Sequence, residues 1–233
     1  DYSGEQLSLS SDGSIVAIGA SGNDGNGADS GHVRVYQYNG SIWTQLGQDI
    51  DGEAAGDNSG LSVSLSSDGS IVAIGSHKND GNGTDSGHVR VYQYNGSIWT
   101  QLGQDVDGEA AGDYSGLSAS LSSDGSIVAI GAHKNDGNGA DSGHVRVYQY
   151  DGSSWAQMGQ DLDGEAGDLT GYQLNLSSDG SIVAVDSHKN DANGTDSGSV
   201  RVYQYNGTSW IQIGQTIVGE AAYDYNGISV SLS

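Results

Sequence analysis

Apolar and small polar residues alternate along Leu61–Ser66 (LSVSLS) with period two, the pattern of a strand whose two faces meet different surroundings. Ser67-Asp68-Gly69-Ser70 follows, and its Asp-Gly pair supplies the positive φ angles of a tight hairpin. Ile71–Gly75 (IVAIG) is apolar throughout and too short for a helix, which predicts an inner strand covered on both faces. His88–Tyr94 (HVRVYQY), rich in Val and Tyr, runs into Asn95-Gly96, a strong hairpin signal, and Ser97–Gln104 returns from it. The pattern predicts four antiparallel strands joined by two tight turns and two longer Gly/Asp-rich loops.

The same pattern recurs along the whole chain. Units span 1–56, 57–112, 113–167 and 168–223, and a fifth copy starts at Asp224 and stops after strand one. A four-stranded sheet cannot bury its own two faces, so tandem copies have to stack on one another as blades. The expected fold is all-β and propeller-like, one repeat domain over 1–233. G-x-S-V-S-L-S, S-D-G-S-I-V-A-I-G, S-G-H-V-R-V-Y and N-G-S-x-W, in that order, resemble the FG-GAP repeat of integrin-α-like β-propellers. The resemblance implies four-stranded blades around an axis, in extracellular proteins of adhesion and recognition. In place of the family's opening Phe stand Leu61, Leu117, Tyr172 and Glu5, and the family's calcium loop is shortened to Ser-Asp-Gly-Ser.

Composition narrows the choice of partner. A formal charge of −23 with 7 Lys and Arg argues against nucleic acid and against anionic membrane surfaces. It suits a soluble exterior in saline surroundings, or one that recruits divalent cations. The chain has no Cys, hence no disulfide and no thiol chemistry, and no apolar run long enough for membrane insertion. Its opening at Asp1 without Met is read as a processed or excerpted portion of a longer product.

Candidate chemistry is repeated with the unit. The loop N-D-G-N-G-x-D-S-G spaces three oxygen-bearing side chains that could wrap calcium: Asp24, Asn26 and Asp29; Asp80, Asn82 and Asp85; Asp136, Asn138 and Asp141; Asp191, Asn193 and Asp196. Without the further ligands of an EF-hand it reads equally as an Asx turn bonded to its own backbone. No cofactor is required and calcium is possible. His32, His88 and His144 precede the third strand, with Ser199 in the fourth unit; equivalent positions are expected to spread around a ring rather than converge with carboxylates as zinc would need. Asp85-Ser86-Gly87 superficially resembles a serine-protease nucleophile segment, but it occurs four times without a triad, and no residue is assigned to catalysis. Trp43, Trp99, Trp155 and Trp210 are either packed between blades or platforms for stacking sugars. Asn39, Asn95 and Asn206 are sequons on the exposed hairpin turn, where a glycan could be carried.

The tail, with Ile228, Val230 and Leu232 as its apolar positions, is a strand one without a unit of its own. It predicts self-association by strand donation or continuation of a longer array. Near-identical units favour a repeated surface over one asymmetric catalytic cluster. The expected function is therefore a non-enzymatic, extracellular or cell-surface structural or adhesion propeller, assembling into an oligomer, filament or coat. It would bind an extracellular protein or glycan. The alternative is a multivalent carbohydrate-binding propeller.

Overall fold

The computed structural model describes residues 1–232, and among these there is no helix. Unit one folds as β1 (Leu7–Leu9), β2 (Ile15–Ala20), β3 (His32–Tyr38), β4 (Trp43–Gln45) and β5 (Ile50–Asp51). Unit two supplies β6 (Ser62–Leu65), β7 (Ile71–Ser76), β8 (His88–Tyr94), β9 (Trp99–Gln101) and β10 (Val106–Asp107). In unit three come β11 (Ser118–Leu121), β12 (Ile127–Ala132), β13 (His144–Tyr150), β14 (Trp155–Gln157) and β15 (Leu162–Asp163). Unit four ends the series with β16 (Leu174–Leu176), β17 (Ile182–Ser187), β18 (Ser199–Tyr205), β19 (Trp210–Gln212) and β20 (Ile217–Val218). Each sheet is antiparallel in chain order, as in β1-β2-β3-β4.

The outer edge departs from the four-strand expectation. β9 pairs with the end of β8 through Tyr92↔Gln101, and the two-residue β10 pairs with its start through His88↔Asp107. The fifth strand exists because the chain breaks its run at Gly103, in the left-handed region at φ +69°, and then rejoins the same edge. A side chain at Gly103 would meet the Trp155 ring of the next unit, its Cβ 3.0 Å from Trp155 Cδ1.

The core lies between blades, as the doubly covered second strand requires. Val72 and Ile74 of β7 pack against Ile15, Val33 and Val35 of unit one, whereas Ile71 and Ala73 of the same strand pack against Val128 and Ile130 of unit three. A third cluster joins units three and four. The small polar residues of strand one also serve these seams. Ser8 Oγ accepts Leu65 N–H at 3.0 Å, and Ser64 and Ser120 repeat the bond to Leu121 and Leu176. The hairpin turns add a backbone ladder in which Ser11 N–H donates to Ser67 O, Ser67 N–H to Ser123 O and Ser123 N–H to Ser178 O.

The blades form an open arc. Leu7, Leu9 and Trp43 on unit one and Ile211, Ile213 and Ile217 on unit four are exposed, and among the described residues no core cluster joins these two units. The tail takes the slot next to unit four, where Leu232 N–H donates to Asn175 Oδ1 at 2.7 Å, the equivalent of the Ser8–Leu65 bond. It does not form the expected strand. Ile228 is exposed, and among the described residues the tail is paired with no second strand in the way that β1 is with β2.

Candidate functional site

The Trp residues close the seams. Trp99 is 3% exposed; its Nε1–H donates to Leu46 O at 2.8 Å, and its backbone N–H and C=O are both bonded by the Gln48 side chain. Trp155 with Gln104 and Leu102, and Trp210 with Gln160 and Met158, repeat the arrangement. These three rings are therefore closed to a sugar, which corrects the stacking role. Trp43 is 47% exposed, with no described blade packed over it.

In the long loops, Asp24, Asp80, Asp136 and Asp191 accept the N–H of Asp29, Asp85, Asp141 and Asp196, respectively, through Oδ1. Asn26, Asn82, Asn138 and Asn193 donate their amides to Gly52, Gly108, Gly164 and Gly219 O. These bonds close the loop on itself and tie it to the outer edge, and the Asx turn beside them is made by Asn23, Asn79, Asn135 and Asn190, whose Oδ1 accepts the N–H two residues on. Ser86 Oγ donates to Asn79 O and is buried in the same turn. On the hairpin turns, Asn39, Asn95 and Asn206 are exposed, and the Oδ1 of each accepts backbone N–H groups two and three residues ahead.

Contrary to the expected spread, His32, His88 and His144 do converge with carboxylates, His32 with two Asp of its own unit and His88 and His144 each with an Asp of their own unit and a Glu of the preceding one. Pairing of β8 with β10 sets His88 opposite Asp107, and the groups His32–Asp49–Asp51, Glu53–His88–Asp105 and Glu109–His144–Asp161 are each tight enough to hold a metal ion. All three rings are buried, and burial, then the neighbouring Arg34, Arg90 and Arg146, hold their pKa values below the usual histidine range. The imidazoles are neutral near pH 7.

One cluster is not repeated. Gly19, Gly75 and Gly131 stand one residue before the end of the second strands, where a Cβ would lie 1.9–2.0 Å from the carbonyl oxygen of the next unit. Asp186 takes that position in unit four, fully buried. Its Oδ1 accepts Gly171 N–H at 3.2 Å and Gln173 N–H at 2.8 Å, and its Oδ2 faces His188 Nδ1 at 3.0 Å. Burial pushes the Asp186 carboxyl up, opposed by the bond from His188. A carboxylate only accepts, so Nδ1 carries the proton and the Nε2 lone pair is free. His188 is 8% exposed and stands at the end of a file of rings, with Tyr172 at 4.7 Å and Tyr172–His133, His133–Tyr114 and Tyr114–His77 at 5.5–5.9 Å between centroids. A cavity of about 570 Å³ opens at the next residues, lined by Asp168, Lys189, Asn190 and Asp196. Sequence reasoning left this pair unassigned, although Asp186 is the one substitution of the repeat's glycine.

Residues 50–92 match the family model described as FG-GAP repeat. No curated protein sequence matches the chain. Among solved structures, the periplasmic gluconolactonase of Pseudomonas aeruginosa is similar at 19% identity and TM-score 0.58, over 91% of this chain and 56% of that one. Hydrazine synthase of Kuenenia stuttgartiensis matches at 13% identity and TM-score 0.54, over 91% and 48%. A candidate 6-phosphogluconolactonase of Bacteroides uniformis matches at 12% identity and TM-score 0.50, over 92% and 71%. The chain thus spans about half the length of the first two. With lactonases among the matching folds, the expected adhesion or sugar-binding module is corrected, and the expected absence of enzymatic activity gains no support. Residues 50–92 thus carry an FG-GAP repeat, the other units repeat its motif, and the fold shared over nine-tenths of the chain is that of a β-propeller.

Proposed function

We propose that this chain carries a hydrolytic centre at Asp186 and His188 that opens small lactones, the substrate class named for the gluconolactonase of similar fold. The observation that carries the reading is the buried Asp186–His188 pair, in which Asp186 replaces a glycine that the other three units keep. Asp186 fixes the ring and its tautomer, and His188 Nε2 acts as general base. It takes a proton from water, whose oxygen bonds to the lactone carbonyl carbon. The ring C–O bond then breaks, and the proton passes from Nε2 to the departing ring oxygen, giving the hydroxy acid. His133 and Tyr172 confine the approach to His188.

Gluconolactone hydrolysis followed by pH-stat tests the reading. General acid–base catalysis is worth about 10²–10⁴-fold, so His188→Gln and Asp186→Gly lower kcat/KM by about 100-fold or more. Asp186→Gly restores the residue of the other units and keeps the fold, which far-UV circular dichroism checks. A wild-type rate equal to that of buffer, or equal rates in all three proteins, refutes it.

A further inference from the structure

We infer that Glu53, His88 and Asp105 form a site for a divalent first-row transition cation of the zinc class, with weaker copies in units one and three. His88 is 1% exposed, yet neither ring nitrogen has a hydrogen-bond partner. Nε2 is enclosed without one, and Nδ1 faces Asp105 Oδ2 at 3.6 Å and Asp107 Oδ1 at 3.9 Å. Those separations exceed a hydrogen bond and fit two ligands on one ion with bonds of about 2.0–2.2 Å. A neutral imidazole with two or three carboxylates is a borderline N/O donor set, which suits zinc better than calcium, a cation that takes oxygen ligands. Asp105 is also held in place from behind, because Gln101 Nε2 donates to its other oxygen, Oδ1.

The neighbouring arginine engages one member of the cluster, Glu53, and leaves His88 and Asp105 without a cationic partner. Arg90 leaves Asp105 alone; it pairs with Glu53 Oε1 at 3.2 Å and donates to Asp51 O of the preceding unit at 3.1 Å. In unit one, Arg34 occupies the facing oxygen of Asp49 at 2.7 Å, and in unit three Arg146 bridges Glu109 and Asp161, which ranks both below unit two.

Unit four supplies the comparison within the chain. It replaces the His and both Asp together, by Ser199, Thr216 and Val218, while Arg201 stays and still donates to the preceding unit's Asp163 O. The arginine therefore belongs to the seam, and the three lost residues behave as one set. This set is separate from Asp186 and His188, so either inference can fail alone.

Equilibrium dialysis against zinc chloride, on chelator-treated protein in 0.15 M salt with excess magnesium to mask the general acidic surface, counts bound zinc. Glu53→Gln with Asp105→Asn, both at part-exposed positions, removes the tightest site and weakens first-ion affinity by at least tenfold. Ser199→His with Thr216→Asp and Val218→Asp adds one ion per chain. In wild type, zinc moves the His88 ring resonances, which adventitious surface binding would leave in place. No zinc retained under magnesium, or retention unchanged in the Glu53/Asp105 variant, overturns the inference.

Discussion

Trp99 offers a test of the seam because Trp43, at the equivalent position, is half-exposed. Trp99→Ala opens a cavity between units one and two, removes the Nε1–H bond to Leu46 O and frees the Gln48 contact that clasps the Trp backbone. Large-to-small changes at a buried Trp cost about 3–5 kcal/mol. For a chain of this length, 1 kcal/mol shifts Tm by about 2–4 °C, so the midpoint should fall by about 6–20 °C. Trp43→Ala removes a half-exposed ring that makes no hydrogen bond through its indole N–H, and should cost about 1 kcal/mol or less. Because stacked repeats are coupled through nearest-neighbour interfaces, Trp99→Ala should also split unfolding into an early step for unit one and a later one for the rest. Calorimetry and urea titration read both effects. Equal losses in the two variants would refute the claim that the indole acts across the seam.

His77 and His133, buried beneath Tyr114 and Tyr172 and beside Lys78 and Lys134, have pKa values lowered to about 4, with burial as the main cause. The folded state then binds fewer protons than the unfolded state between pH 6.5 and 4, so this contribution is complete above 6.5 and is lost as pH falls through that window. At 1.36 kcal/mol per unit the upper bound is about 3 kcal/mol for each ring. Urea midpoints at pH 7 and 4.5 should therefore separate wild type from His133→Phe, which keeps a ring and drops the titration; parallel losses would contradict the assignment. Gly75→Ala drives a Cβ into Gly116 O and should cost about 3 kcal/mol or more, whereas Gly96→Ala, with open space around it, should cost about 1–2 kcal/mol from its positive φ alone. Chemical denaturation distinguishes them, and a harmless Gly75→Ala would mean that the blades are not in contact there.

Much of the fold was legible because each turn carries its own signal. Asp68-Gly69 and Asn95-Gly96 fix two hairpins, and the apolar run Ile71–Gly75 marks the doubly covered strand. The two-residue β10 was not legible, because Val106–Asp107 has no period and is a strand only through its pairing with β8. The Trp seam followed from one indole per unit needing a cover and an acceptor. The His88 group was hidden for a different reason: Asp105 and Asp107 lie 17 and 19 residues beyond His88 and meet it only when β10 returns to β8, and Glu53 comes from the preceding unit. A signal did exist in the shared loss of His, Asp and Asp from unit four. The Asp186 substitution was visible too, but its proximity to His188 depends on alternate side chains of an extended chain falling on one side.

One strip of each seam in this arc is made by groups that every residue owns. Ser11, Ser67 and Ser123 offer amides to the following blade, Ser67, Ser123 and Ser178 receive them, and the same offer is made at each junction. Any unit can follow any other without a new interface having to be invented. Unequal recombination between copies would lengthen or shorten the array by whole units and leave each junction chemically complete, so array length can drift while single blades, such as the fourth, acquire their own residues.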